Sequence, residues 1–305
     1  MPSAKVLYIH GAGPQPEAGV LRREIDEILF PGEADPPSDI AWFADVTDAA
    51  NEADRADRAD RGGQNAGPGM GPGDDVGDDE RPGLDDRLLE RARTLWAETL
   101  GLASGGGGGR GALLLRLVAA MGSVDERESV ENRHGSRAEA LWHFYRDVAG
   151  YLENDGDIAP VLRERVRAAV TRNPDLQLVV AHSLGTVIAF DVLAEPQLAG
   201  RELTLVTVGS PLGLGPLQDR LAAWAGARPV AIPPAVTRWR NFHAHGDPVA
   251  TGSDIDGLHA DYHPTARVHS TMVRNDVGHH YGFLGYLRTP EVLDAIYAPL
   301  GVRRP

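Results

Sequence analysis

The clearest hydrophobic pattern in the chain runs over residues 175–193, DLQLVVAHSLGTVIAFDVL. Its first part, LQLVV, is a short apolar run bounded by polar residues, which is typical of a buried β-strand. After Ser183 and a glycine, apolar residues recur at the spacing of a helix, at Val187, Ile188, Phe190, Val192 and Leu193. The pattern therefore predicts a strand that leads through a sharp turn into a helix, with Ser183 in the turn.

Buried-strand and helix patterns alternate along most of the chain. Strands are predicted at Lys5–Ile9, Asp39–Val46, Glu202–Ser210, Val236–Ala244 and Arg267–Arg274. Helices are predicted at Ala18–Phe30, Arg137–Leu152, Ala159–Thr171, Leu217–Trp224 and Glu291–Tyr297. This alternation favours an α/β fold, a mostly parallel sheet with helices on both faces. Ligands of such folds gather at the carboxyl ends of the strands, where the pattern places His10, Ser183, Ser210 and Asp247.

One long segment departs from the alternation. Residues 51–86 contain the repeat EADRADRADR and a run rich in Gly, Pro and Asp, a composition that predicts disorder. Apolar residues return at helical spacing on either side of the five glycines at 105–109. We therefore predict a core made of 1–46 and 136–305 and an insertion at 47–135, with a disordered tract over 49–86 and a helical cap or lid over 87–122. The residues do not separate a cap that packs on the core from a lid that opens onto lipid.

Composition and charge exclude several classes of protein. With 30 basic and 44 acidic side chains among 305 residues, the formal net charge is −14, which argues against binding to nucleic acid. There is no cysteine, so disulfides and thiolate metal sites are excluded. A strand is predicted from Lys5, and no apolar run reaches about 18 residues, so we expect neither a signal peptide nor a transmembrane segment. These features favour a cytoplasmic protein.

Ser183 is the candidate nucleophile. It lies at the apex of the predicted strand–turn–helix unit, within the pattern Ala181-His182-Ser183-Leu184-Gly185. Small residues two positions before and after a serine in such a turn are needed because strand and helix pass close together there. The alternative interpretation is a buried serine in an ordinary strand-to-helix connection.

A serine hydroxyl needs a base that takes its proton and an acid that orients the base. Asp247 follows a predicted strand and precedes a proline, so its carboxylate should lie in a loop at the same edge of the sheet. We predict that Asp247 is the acid. The competing carboxylates lack a preceding strand or are expected to face away from the serine; they are Asp191, Asp254, Asp256 and Asp261.

The candidate bases are the histidines that follow Asp247 in the chain. The loop before the last helix contains His279 and His280, and the residues alone leave both as alternatives. The other histidines of this region are expected in a strand or in surface loops; they are His259, His263 and His269. His243, His245, Asp247, His259 and His263 lie close together in the sequence, but their spacing matches no metal-binding motif, so we predict no metal site.

Five segments, in this order, resemble the lipase-like α/β-hydrolases: VLYIHGAGPQ, VVAHSLGTVIAFDVL, TVGSPL, NFHAHGDPVA and HHYGFLGYLRTPEV. They are most similar to bacterial serine hydrolases related to lecithin–cholesterol acyltransferase and the GPI inositol-deacylases. The resemblance covers 5–46 and 137–298 and leaves the insertion unmatched. It implies an α/β-hydrolase fold with a helical cap insertion, and Asp247 as the acid. It favours His280 over His279 as the base, although tyrosine stands where the family usually has serine after that histidine.

The resemblance also implies an oxyanion hole. A glycine-rich turn after the first strand would offer one backbone N–H, which we assign to Ala12, with Gly11 and Gly13 as alternatives. The second donor would be the N–H of Leu184, the residue after the nucleophile. The residues expected to contact the substrate are His10, Gly11 and His182.

These expectations describe a serine hydrolase that cleaves carboxylic esters, small or lipid-derived, without a cofactor or a metal. A cap with an apolar face would allow transient contact with a membrane surface, and no protein partner is indicated. The shared triad keeps peptidase, thioesterase and acyltransferase activities as alternatives. From a different class, a hydrolase scaffold whose site has decayed could serve as a binding or regulatory module.

Overall fold

The computed structural model describes residues 4–12, 15–47, 147–148, 151, 158–227, 229–245, 247, 249–250, 255–256, 259–260, 267–275 and 282–302. Apart from Thr47, the predicted insertion at 47–135 lies outside these residues. The predicted helix Arg137–Leu152 is described at three positions, all helical: Asp147, Val148 and Tyr151. The division into core and insertion therefore stays a prediction.

Eight strands are described: β1 (Val6–Ile9), β2 (Ser38–Ala41), β3 (Leu178–His182), β4 (Leu203–Val208), β5 (Val230–Ala231), β6 (Val236–Ala244), β7 (His259–Ala260) and β8 (Val268–Val273). Within this part of the chain, six of them form one sheet in the order β2-β1-β3-β4-β6-β8, and every neighbouring pair is parallel. Strands β5 and β7 form a separate parallel pair. The predicted α/β fold with a mostly parallel sheet is confirmed.

Six α-helices with both ends in the described ranges accompany the strands: α1 (Ala18–Leu29), α2 (Ile158–Thr171), α3 (Leu184–Leu193), α4 (Gly215–Ala225), α5 (Phe283–Leu287) and α6 (Pro290–Leu300). Helix α1 buries Leu21, Ile25 and Leu29, which are four residues apart and so share one face. Helix α3 instead buries nearly every residue. None of the described helices is long and apolar enough to cross a bilayer.

The sheet has a hydrophobic core on each of its faces. Successive side chains of β1 point to opposite faces, so Leu7 and Ile9 join one core while Val6 and Tyr8 join the other. Helices α2, α3 and α4 pack on the first core, and helices α1, α5 and α6 pack on the second. Because both faces are covered, the central strands β1, β3 and β4 are buried along their whole length.

The chain reverses its direction of travel across the sheet between β1 and β3. From β1 it passes through α1 to β2 on one side, and it later returns to β3 on the other side, where Ile9 pairs with Ala181. Helices α1 and α3, which follow these two neighbouring strands, lie on opposite faces of the sheet. This reversal point lies at the carboxyl end of β1 and β3, and open α/β sheets bind their ligands at such a point.

The second predicted strand is wrong beyond Ala41. The prediction extended it to Val46, but β2 ends at Ala41 and a helical turn begins at Ala44. The backbone N–H of Phe43 donates to Nε2 of His10 at 3.0 Å instead of continuing the ladder. The Trp42 indole N–H donates to the Pro16 carbonyl at 3.0 Å. Contacts with the segment after β1 therefore end the strand where the apolar pattern alone would continue it.

Helix α5 and the pair β5–β7 were not predicted. A helix of five residues and strands of two residues are too short to produce a recognisable periodicity.

Candidate active site

Ser183 joins β3 to α3 in a strained backbone conformation. Its dihedral angles are φ 54° and ψ −126°, and it is the only described residue other than glycine with a positive φ. Such a conformation costs a non-glycine residue about 1–3 kcal/mol and persists only where the surroundings enforce it. The Ser183 side chain makes no capping bond to α3, although it stands at the helix N-terminus. The strained turn therefore lowers the stability of the fold, but it fixes the orientation of this serine.

Hydrogen bonds hold both peptide groups of Ser183. Its N–H donates to the Val208 carbonyl at 3.2 Å, and its carbonyl accepts from the Thr186 N–H at 2.9 Å. The Thr186 hydroxyl donates to the same carbonyl at 2.7 Å, so in its 2.8 Å bond with the Ser210 hydroxyl it must accept. The Ser210 oxygen in turn accepts from the Leu212 N–H at 3.2 Å. This relay ties the turn to the segment that follows β4.

Two glycines are required by close packing at the turn. A Cβ on Gly185 would lie 2.3 Å from the His10 carbonyl oxygen and 2.8 Å from that of Ile9. A Cβ on Gly11 would lie 2.8 Å from the Ser183 Cβ. The sequence predicted a small residue at Gly185 because strand and helix pass close together there. The contact that demands it is with the end of β1, the neighbouring strand.

His10 is buried at the end of β1, with both ring nitrogens engaged. The Phe43 N–H donates to Nε2, so Nε2 carries no proton, and Nδ1 donates to the Gly11 carbonyl at 2.7 Å. The ring also stacks on the Phe43 ring with centroids 3.9 Å apart. Burial lowers the pKa of His10 to about 4, so the imidazole is neutral at neutral pH. The side chain thus fixes the loop after β1, and its contact with a substrate stays a prediction.

The two predicted oxyanion donors lie at the ends of adjacent strands. Leu184 is the first residue of α3, so its N–H has no acceptor within the helix and lies at the positive end of the helix dipole. Ala12 follows the end of β1 and is partly buried against the core that α3 also joins. The alternative donor Gly13 lies outside the described residues. The backbone donor at Leu184 is thus preorganised beside Ser183, which is what an oxyanion hole requires.

Asp247 is buried just beyond the end of β6. Its Oδ1 accepts from the N–H groups of Val249 at 2.9 Å and Ala250 at 3.2 Å. Its Oδ2 accepts from the Tyr286 hydroxyl at 2.5 Å. Its own N–H donates to the Ala244 carbonyl at 3.1 Å. The carboxylate is therefore oriented by several donors although the residue is only 3% exposed.

Gly209 marks the place where three side chains of the site converge. A Cβ there would lie 3.1 Å from Asp247 Oδ2, 3.2 Å from Tyr286 Cε2 and 3.3 Å from His182 Cδ2. His182 precedes Ser183 and stacks its ring on Phe283, with centroids 5.1 Å apart and planes 5° apart. The fold therefore brings the predicted acid to the neighbourhood of the predicted nucleophile, and a contact between His182 and substrate stays a prediction.

The candidate bases His279 and His280 lie outside the described residues. The described residues on either side of them are joined, because the Asn275 amide donates to the Gly282 carbonyl at 3.2 Å. Gly285, one turn further on, has no room for a side chain, since a Cβ would lie 2.1 Å from the Asn275 oxygen. The choice between the two histidines remains a prediction.

The competing carboxylates that the structure describes have other partners. Asp191 accepts from Arg163 Nε at 2.5 Å and from the Tyr151 hydroxyl at 2.6 Å. Asp256 is exposed and accepts from the Ser270 N–H at 2.6 Å. Asp254 and Asp261 fall outside the described ranges. Among the residues that are described, no group of three or more His, Cys, Asp or Glu side chains could hold a metal ion.

Of the side chains that converge near Gly209, Tyr286 is the one that the sequence did not indicate. Its hydroxyl contacts a carboxylate 39 positions away, and nothing in the local pattern FLGYL distinguishes it from an ordinary core tyrosine. The only available signal is general, since a buried tyrosine hydroxyl needs a hydrogen-bond partner.

Comparisons of the chain with protein-family models, with curated proteins and with solved structures found no match. The geometry of the site therefore carries the functional argument.

Proposed function

We propose that this protein is a serine hydrolase of the α/β-hydrolase fold that cleaves carboxylic esters, of small molecules or of lipids. The observation that carries the proposal is the conformation of Ser183: a non-glycine residue with φ 54° and ψ −126°, between a buried strand and a buried helix. A strained strand-to-helix turn that presents a serine at the top of a parallel sheet is the nucleophile elbow of this fold. A serine in an ordinary loop would relax to an unstrained backbone conformation.

The position of the turn supports the same proposal. Strands β1 and β3 are neighbours, and the chain reverses its direction across the sheet between them, which is where an open α/β sheet binds its ligand. The backbone at Gly11 packs directly on the Ser183 side chain, so the loop after β1 stands next to the nucleophile. A donor from this loop and the Leu184 N–H can then act on one oxygen atom.

In the proposed reaction the Ser183 hydroxyl attacks the ester carbonyl carbon while His280 takes its proton. The N–H groups of Ala12 and Leu184 hold the oxyanion of the tetrahedral intermediate. The C–O bond of the ester then breaks, His280 returns the proton to the leaving alcohol, and an acyl-Ser183 ester remains. Water, deprotonated by His280, hydrolyses this ester and restores the serine. Asp247 orients the imidazole and stabilises its charged form.

The burial and hydrogen bonding of Asp247 support its role as the acid. A carboxylate that accepts several hydrogen bonds is stabilised in its ionised form, and its orientation is fixed before any substrate arrives. Asp191, the only competing carboxylate on the helix after the nucleophile, is committed to an ion pair with Arg163.

The test is covalent labelling of the full chain with a small fluorophosphonate, diisopropyl fluorophosphate, followed by mass spectrometry of the peptides. A small probe suits this site because Ser183 is buried. We expect an adduct on Ser183 in the wild type and none in Ser183→Ala. The matched control is Ser38→Ala, a buried serine that donates to Asp26 at 2.9 Å near the opposite end of the sheet, and it should label like the wild type.

The same labelling separates the candidate bases and the rival functions. His280→Ala should slow labelling by about 100-fold or more, as loss of a general base does, whereas His279→Ala should leave the rate nearly unchanged. The reverse result would assign the base to His279. A folded wild type without any adduct on Ser183 would overturn the proposal in favour of a binding module on a hydrolase scaffold.

A further inference from the structure

We propose that Tyr286 is a positioning residue that holds the Asp247 carboxylate through a hydrogen bond and sets how strongly that carboxylate stabilises the charged base. The inference rests on the proposed function, since it concerns the acid of the same site. The Ala244 N–H, which can only donate, binds the Tyr286 oxygen at 2.8 Å. The tyrosine proton is therefore directed to Asp247 Oδ2, at 2.5 Å.

The two oxygens of Asp247 accept hydrogen bonds from different parts of the fold. The backbone N–H groups of Val249 and Ala250, two and three residues further on, donate to Oδ1. The Tyr286 hydroxyl, on helix α5, donates to Oδ2. Tyr286 therefore adds a donor from a separate element to the local backbone bonds of the carboxylate.

Tyr286 cannot release this oxygen by a small movement, because its ring is enclosed. The residue is fully buried, its ring centroid lies 6.4 Å from that of His182, and its Cε2 is 3.2 Å from a Cβ position at Gly209. Its backbone belongs to α5, which starts at Phe283, the residue stacked on His182. Helix α5 therefore contacts both His182, the residue before the predicted nucleophile, and Asp247, the predicted acid.

The hydrogen bond from Tyr286 to Asp247 has a chemical consequence. A hydrogen bond donated to a carboxylate draws off part of its negative charge, so the carboxylate stabilises a neighbouring imidazolium less strongly. Without the tyrosine hydroxyl, the imidazolium should be held more tightly, and the base should need a higher pH to become neutral. The carboxylate would also lose one of the bonds that fix its orientation, which should slow the chemical step.

The experiment compares Tyr286→Phe with the wild type, using p-nitrophenyl butyrate as the substrate over a range of about pH 5 to 9. For Tyr286→Phe we expect kcat to fall by about 10-fold, since a hydrogen bond to a charged group is lost, with KM nearly unchanged. The acid limb of kcat/KM should move up by about half a pH unit. The rate of labelling by diisopropyl fluorophosphate should fall in parallel.

The matched control is Tyr297→Phe. Tyr297 is also buried, and its hydroxyl donates to the Leu29 carbonyl at 2.5 Å, away from the site. This variant should lose a similar amount of thermal stability and keep the wild-type kcat and pH profile. Equal effects of the two variants, or loss of stability in Tyr286→Phe without a moved acid limb, would overturn the inference.

A second variant keeps the test decisive if Tyr286→Phe does not fold. Replacing Tyr286 with 3-fluorotyrosine retains the hydroxyl and makes it a stronger donor, so the acid limb should move to lower pH. An acid limb that stays in place would contradict the inference. Wild-type labelling at Ser183 with no effect of either tyrosine variant overturns the role of Tyr286 alone, whereas absence of wild-type labelling overturns the proposed function together with it.

Discussion

Ser183 has an unfavourable backbone conformation, and hydrogen bonds fix the peptide groups on both sides of it. The strain of about 1–3 kcal/mol is opposed by the hydrogen bonds of Ser183 to Val208 and Thr186. His10 shows the opposite arrangement: burial lowers the pKa of this titratable side chain and keeps it neutral, and two hydrogen bonds fix its ring. At the scale of single residues, then, the backbone strain at Ser183 lowers the stability of the fold, and the uncharged His10 positions the loop beside this serine.

His10 should make the protein sensitive to acid. Its pKa is about 6.5 in an unfolded chain and about 4 in the folded one, so the unfolded state takes up a proton first. The stabilising contribution is complete above pH 6.5 and is lost as the pH falls toward 4. At 1.36 kcal/mol per pKa unit, the total loss is about 3 kcal/mol. His10→Gln, which cannot titrate, should lack this component in urea unfolding measured between pH 7 and pH 4.

The control for this measurement is His269→Gln, because His269 is exposed on β8. The unfolding free energy of His269→Gln should change with pH in the same way as that of the wild type. If His10→Gln and the wild type lost stability in parallel over the whole range, the proton uptake would belong to other groups.

At the scale of elements, the decisive contact is the approach of the α3 N-terminus to the end of β1. The Gly185 position lies against the carbonyl oxygens of Ile9 and His10, so helix and strand meet backbone to backbone. This contact brings the loop after β1 alongside Ser183. Strand β2 ends early for a related reason. The Phe43 N–H donates to His10 instead of continuing the hydrogen-bond ladder of the sheet.

Gly185→Ala should therefore destabilise the protein by about 1–3 kcal/mol, the usual cost of overpacking a close-packed site. The added methyl would meet backbone oxygens, which cannot rotate away. The matched control is Gly19→Ala in α1, where a Cβ meets nothing within 4 Å. That variant should gain about 0.5 kcal/mol, because alanine loses less conformational entropy in a helix than glycine does. Chemical denaturation measures both, and equal effects would contradict the close approach.

At the scale of the whole molecule, one sheet links two hydrophobic cores. Residues of β1, β3 and β4 alternate between the core under α2, α3 and α4 and the core under α1, α5 and α6. The candidate site lies at the carboxyl end of this shared sheet and draws on both sides, with Ser183 leading into α3 and Tyr286 in α5. Because the strands are common to both cores, we expect the described core to unfold as one cooperative unit.

A matched pair of substitutions tests this unit. Ile25 and Ile188 are fully buried in the two different cores, and Ile→Val at either position should cost about 0.5–1.5 kcal/mol. The double variant should show the sum within about 0.5 kcal/mol, since the sites lie on opposite faces of the sheet. Far- and near-ultraviolet circular dichroism should report one midpoint for each variant. Separate midpoints would show that the two cores unfold independently.

Most elements of the fold could be predicted from the sequence, because burial leaves a local record. The prediction for β6 matches its bounds, and those for α1 and α2 each differ from the structure by one residue at one end. The prediction of a strand at 39–46 failed because the contacts that stop β2 come from His10 and Pro16, which are distant in sequence. Of the site, the turn at Ser183 was predictable, since motif and hydrophobic pattern coincide there.

By itself, the sequence determined the kinds of element, their order and the turn that holds Ser183. These features depend on residues within a few positions of one another, and apolar spacing records them directly. Only the tertiary structure decided which strands are neighbours, why Gly185 must be glycine, and which side chains reach Asp247. The bond from Tyr286 to Asp247 spans 39 positions and exists because α5 packs against the loop after β6. Such a partner leaves no periodic trace in the chain, since it is selected by packing.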